Sequence, residues 1–132
     1  MNQVVARFLD GTSMKGQTND FLPTKDTFHL APFGSKPGDK PVEVRVSELK
    51  GIYFVRNLFG DPDHHKTNDF PPFSPNSGRR VEVVFKDDEV MDGITQGYQP
   101  GRPGFFLVPA DPLSNNERCY VVAAATRSIG YI

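Results

Sequence analysis

The sequence predicts an all-β protein built as two tandem five-stranded small barrels related by internal duplication, and three observations lead there. Residues 4–55 and 81–132 are one unit written twice at a constant offset of 77, with no gap: Val4/Val81, Phe8/Phe85, Asp10/Asp87, Gly16/Gly93, Thr18/Thr95, Phe28/Phe105, Leu30/Leu107, Val44/Val121 and Ile52/Ile129 all match. A duplication makes each copy one supersecondary unit with its own pattern of buried positions. Each copy also breaks into short apolar runs separated by tight turns, the pattern of a small barrel. The 12 prolines and 12 glycines leave no long helical window. The expected organisation is a first barrel over 1–56, an irregular linker rich in proline and aromatics over 57–80, and a second barrel over 81–132. Copies this short bury little of their own surface, so they are expected to pack on each other, on the linker or on another chain.

The elements follow in order. Val4-Val5-Ala6-Arg7-Phe8-Leu9 alternates and ends at Asp10-Gly11, a hairpin turn. The second copy has Val81 to Lys86 and turns at Asp87-Asp88. Met14 to Phe21 reads as a second strand, and the glycine inside it, Gly16 or Gly93, marks a strong bend. Thr27–Ala31, Val42–Val46 and Gly51–Val55 make strands three to five. Ser47-Glu48-Leu49-Lys50 is too short for an α-helix and fits one 3₁₀-like turn. The linker's Phe70-Pro71-Pro72-Phe73 is expected to pack on a barrel.

Composition excludes some functions. With 15 basic and 16 acidic side chains the net charge is −1, which argues against a generic phosphate-backbone binder. No run is long enough to cross a membrane as a helix, and no signal peptide is visible. The single cysteine, Cys119, suits a reducing compartment and sits among apolar residues as a buried structural thiol. Cytoplasmic location is the expectation.

The first strands resemble the Sm/LSm family of SH3-like units, through Val4-x-Ala6-x-Phe8-x-Asp10-Gly11, then Gly16-x-Thr18-x-x-Phe21 and Phe28-x-Leu30. The resemblance implies assembly by pairing the fourth strand of one unit with the fifth of the next. Fusion of two copies would then satisfy one such pairing and leave two edges. The whole tandem is similar to an uncharacterised bacterial family, through Gly104 to Pro112 and Ser114-Asn115-Asn116-Glu117-Arg118, and this similarity supplies no activity. Sm-type RNA binders carry an Arg-Gly-Asp/Asn-like loop between strands four and five. Here that loop reads Ser47-Glu48-Leu49-Lys50 or Ala124-Ala125-Thr126-Arg127, so nucleic acid is not the expected partner.

The search for chemistry yields no catalytic, metal or cofactor site. His64-His65, with Asp61, Asp63 and Asp69 nearby, is the one local group of metal-ligand types. Adjacent side chains on an extended segment point apart, so a solvated turn is expected. His29 faces away from the core of its strand. Asp87-Asp88-Glu89 sits where a hairpin turn needs acidic residues. No nucleophile elbow and no Gly-rich phosphate loop is present.

The two copies differ on their outward face. On strands three and four the first copy places His29, Ala31, Glu43 and Arg45 there, and the second places Phe106, Val108, Tyr120 and Val122. Neighbouring strands would join those four into one apolar patch, which is normally covered. The linker's Phe70 and Phe73, or the first copy, would cover it from within; otherwise it is a protein-contact surface. The functional expectation is a non-catalytic protein-interaction or regulatory module, with a protein partner or self-association. The alternative is an Sm-like RNA-binding oligomer.

Overall fold

A computed structural model describes residues 1–60, 62–65, 67–71 and 78–132. The first copy forms β1 (Asn2–Phe8), β2 (Ser13–Thr18), β3 (Thr27–Pro32), β4 (Val42–Arg45) and β5 (Leu49–Val55). The second forms β6 (Arg79–Phe85), β7 (Val90–Thr95), β8 (Gly104–Pro109), β9 (Asn116–Val122) and β10 (Thr126–Tyr131). A single 3₁₀ turn precedes the fifth strand of each copy, at Val46–Glu48 and Ala123–Ala125. These bounds follow the sequence expectation to within a few residues, because alternation and turn residues are local signals; β2 ends at Thr18, so Phe21, expected on this strand, lies in the segment after it.

The architecture departs from two closed five-stranded barrels. All ten strands join one open antiparallel sheet in the order β10-β6-β7-β8-β9-β5-β1-β2-β3-β4. Within a copy the order is the fifth strand, then the first to the fourth, and the two ends do not pair with each other. Instead β5 of the first copy pairs with β9 of the second, from Gly51↔Val121 through Ile52↔Tyr120 to Val55↔Asn116. The reason lies in the available edges. The apolar Val121 and Tyr120 offer β5 a buried neighbour, whereas its own β4 carries exposed Glu43 and Arg45 and is preceded by Pro41, which has no N–H. Flanked by strands on both sides, β5 is buried at every position except half-buried Lys50. Its counterpart β10, at the sheet edge, has no buried residue.

The shared positions build one core. Val4, Ala6, Phe28, Leu30, Val44 and Ile52 join Val81, Val83, Phe85, Phe105, Leu107 and Val121 in a single cluster. The glycine in each second strand lets a neighbouring strand close over it. A Cβ on Gly16 would lie 2.1 Å from the Ala31 carbonyl oxygen, and one on Gly93 would lie 2.3 Å from that of Val108. The two hairpin turns solve one backbone problem with different residues. Gly11 has φ +91° and its counterpart Asp88 has φ 73°, a left-handed conformation that aspartate tolerates better than most residues.

Described parts of the linker pack as expected. Arg56 donates its N–H to Asn115 O at 2.9 Å. The Phe59 ring meets Phe33 edge-on at 5.0 Å, and the Arg80 guanidinium lies 4.4 Å from the Phe70 centroid.

Candidate functional site

The sheet brings the outward residues of the second copy against the first. Phe21, early in the segment between β2 and β3, has its ring 5.0 Å from Tyr120, 6.1 Å from Phe106, 6.1 Å from Phe54 and 5.4 Å from Phe28. Phe106 and Tyr120 meet edge-on at 5.3 Å. Such edge-on pairs are worth about 0.5–1.5 kcal/mol each beyond their burial. Arg118 completes the cluster, with its guanidinium carbon 4.2 Å from the Phe54 centroid and 4.8 Å from that of Phe106.

Beside this seam runs an open groove in two continuous parts. One, of about 520 Å³, is lined by Ile94, Phe105, Phe106, Val108, Arg118 and Tyr120 among others. The other, of about 910 Å³, runs past Phe21, Lys25, Val46, Tyr120 and Val122. Pro23, Arg102, Gly104 and Tyr120 line both. Gly104 is what lets Tyr120 lie flat against the sheet, since a Cβ there would sit 2.6 Å from the tyrosine Cζ. Burial pushes the Tyr120 phenol up, so it stays a neutral O–H donor at physiological pH.

The four residues singled out from sequence therefore divide. Phe106 and Val108 are half-buried and form a wall of the groove. Tyr120 is 2 % exposed and Val122 4 %, and the first copy covers Tyr120. The cover is Phe21. Phe70 lies against Arg80 instead, and Phe73 falls outside the described residues. Phe21 had a signal in the sequence, as an aromatic shared with Tyr98 in the repeat, but its contacts cross between copies and no local pattern shows them.

Elsewhere the titratable groups hold structure together. His29 Nδ1 lies 2.7 Å from Asp20 Oδ2 at the surface. His64 corrects the expectation of a solvated turn: its Nε2 lies 2.5 Å from Oδ2 of the buried Asp111, fastening the linker to the segment after β8. Burial works against ionising Asp111, yet the bonds from His64 and the Leu113 amide prevail and hold its carboxyl below the ordinary range. Lys50 Nζ lies 2.7 Å from both Asp87 and Glu89, so the acidic turn of the second copy clasps β5 of the first. Asp92 is pushed up by burial and by Glu82, and its Oδ1 has no partner among the described residues; its amide donates to Asn68 Oδ1 of the linker, away from the groove. Among the described residues no three His, Cys, Asp or Glu side chains gather as metal ligands. Cys119 is buried and forms no disulfide. No helix among the described residues is long and apolar enough to cross a membrane.

No curated protein and no solved structure matches the chain. A family model described as a family of unknown function (DUF6982) matches residues 1–132, and the protein belongs to that family.

Proposed function

We propose that the protein is a non-catalytic interaction or regulatory module of the cytoplasm that docks an extended segment of a partner protein in the groove beside β8 and β9. The observation that carries this reading is the asymmetry between the copies. The second copy presents Phe106 and Val108, half-exposed, in an open apolar trough, where the first copy presents exposed His29 and half-buried Ala31. A continuous trough with apolar walls is the usual mark of a binding site. The absence of any acid–base or nucleophile arrangement among the groove residues supports a binding role over a catalytic one. The strand order of each copy, with its bent second strand and 3₁₀ turn before the fifth, supports kinship with Sm/SH3-like units joined through one shared sheet.

Affinity capture from the producing cells with wild type, Val108→Glu and Glu43→Lys tests the reading. A partner retained by Glu43→Lys and lost by Val108→Glu is expected. A partner set indifferent to Val108→Glu overturns the assignment of the groove. The second reading, an RNA-binding oligomer, draws on the cations Lys25, Arg102 and Arg118 beside aromatic rings. Stacking needs free ring faces, however, and Tyr120 is covered while Arg118 already lies over Phe106. A salt-dependent shift of single-stranded RNA would revive it.

A further inference from the structure

The groove has a chemical bias that its apolar walls do not explain. Lys25, Arg102 and Arg118 line it, against the single acid Asp26, in a chain whose net charge is −1. None of the three cations pairs with a carboxylate among the described residues, whereas Lys50, Arg56 and Arg127 do. Arg118 is not loose: its guanidinium carbon lies 4.2 Å from the Phe54 centroid and 4.8 Å from that of Phe106, which presets its position, and its side-chain N–H groups have no hydrogen-bond partner among the described residues.

A second, independent observation sits at the floor. Tyr120 is 2 % exposed, yet its hydroxyl has no hydrogen-bond partner among the described residues. A buried tyrosine normally finds one. Its Oη is not itself sealed from solvent, since the one sealed side-chain polar atom without a partner among the described residues is Asp92 Oδ1. The hydroxyl therefore opens where Gly104 and Arg102 line both parts of the groove. Tyr120 Oη, Arg102 and Arg118 are hydrogen-bond donors along one groove, and a carboxylate is an acceptor that suits all three.

We infer that the groove takes an acidic–apolar peptide: an extended segment in which a large apolar side chain lies on Phe106, Val108 and Ile94 while a neighbouring Asp or Glu carboxylate accepts from Tyr120 Oη and from Arg102 or Arg118. The inference rests on the docking role proposed above and names the chemistry of the partner. The groove's open, continuous course past both parts favours an extended chain over an enclosed small molecule.

The test is fluorescence anisotropy with a labelled octapeptide that alternates glutamate with leucine and phenylalanine, beside a twin in which glutamine replaces every glutamate. The acidic peptide should bind about tenfold more tightly than its twin, the worth of roughly one charge-assisted hydrogen bond. Tyr120→Phe and Arg102→Gln should each bring the acidic peptide down toward the glutamine level and leave the twin unmoved. Arg102 makes no side-chain contact that the fold needs, so this variant decides the matter even where Tyr120→Phe unsettles the seam. Equal binding of both peptides sinks the carboxylate inference and leaves the docking groove standing. Failure of both peptides to bind at about 1 mM sinks the two together. Displacement of the acidic peptide by oligouridylate overturns the inference in favour of nucleic acid.

Discussion

The β5–β9 seam and the two open edges of the sheet are the same structural joint, once filled and once bare. Shifted by the repeat offset of 77, the seam pairs Ile52↔Tyr120 and Phe54↔Arg118 become Ile129↔Glu43 and Tyr131↔Pro41. The backbone is ready at both edges. Val46 donates its N–H to Asp26 on the β3 side, so alternation turns the Glu43 and Arg45 amides outward from β4. Ile132 donates to Arg80 on β6, so Ile129 and Tyr131 turn theirs outward from β10. Even the aromatic half-socket recurs: Tyr98 lies 5.0 Å from Phe105 and 6.0 Å from Tyr131, as Phe21 does from Phe28 and Phe54. What differs is the side chains that would meet it. Tyr120 is replaced by Glu43, Phe106 by His29, Arg118 by Pro41 and Gly51 by Ser128. Arg79 of the same copy already lies 3.7 Å over Tyr131. A short edge with a proline and a charge resists pairing. One joint is filled inside the chain and its outer equivalents are blunted, which favours a foreign partner over a second copy.

Restoring the seam at the edges should have the largest effect. The variant His29→Phe, Pro41→Arg, Glu43→Tyr, Ser128→Gly should associate head to tail, giving masses that grow with concentration by sedimentation velocity while wild type stays monomeric. A monomeric variant would show that the edges are unlike the seam in more than side chains.

Tyr120→Glu attacks the seam from inside. It buries a carboxylate among Phe21, Phe54 and Phe106, and chemical denaturation should show a loss of more than about 3 kcal/mol. Glu43→Lys, at the equivalent edge position, should stay within about 0.5 kcal/mol of wild type.

The glycines sharpen the same contrast. A Cβ at Gly104 would meet the Val121 carbonyl oxygen at 2.3 Å, whereas one at Gly130 would meet nothing within 4 Å. Gly104→Ala should cost about 2 kcal/mol and Gly130→Ala almost nothing, read as midpoints of urea unfolding.

The smallest effect belongs to the clasp between the copies. The Lys50 hydrogen bond is the largest influence on Asp87 and, against some desolvation, holds its carboxyl below the ordinary value; that stabilisation is present above the unfolded pKa and lost as pH falls through the folded one. Desolvation of Lys50 is outweighed by Asp87 and Glu89, which raise its pKa; that stabilisation is present below the unfolded value and lost as pH rises through the folded one. With Asp87 more than half exposed, Lys50→Met should cost about 0.5–1 kcal/mol near neutrality and flatten both flanks of the stability–pH curve.

Much of this was legible in particular residues. Alternation in Val4 to Phe8 and Val81 to Phe85 placed the core, Gly16 and Gly93 announced the bends, and Asp88 stood in for Gly11 at a left-handed turn. The outward asymmetry of Phe106, Val108, Tyr120 and Val122 singled out β8 and β9, where Phe106 and Val108 are half-buried and Tyr120 and Val122 are buried. Two features escaped. Phe21 as the cover of Tyr120 depends on a contact between copies, and His64 against Asp111 joins residues 47 apart. Neither leaves a trace in spacing or periodicity.

Strand positions, turn types and the inward face of each strand were settled by the chain's own order of residues, since φ preferences and period-two alternation act over a few neighbours. The partner of each fifth strand was settled only in the folded molecule. Backbone N–H and C=O groups are alike at every strand edge, so pairing is chosen by whichever side chains, however distant in sequence, bury the most apolar surface along that edge. For β5 that partner was β9, and the choice made one open sheet, its aromatic seam and the groove beside it.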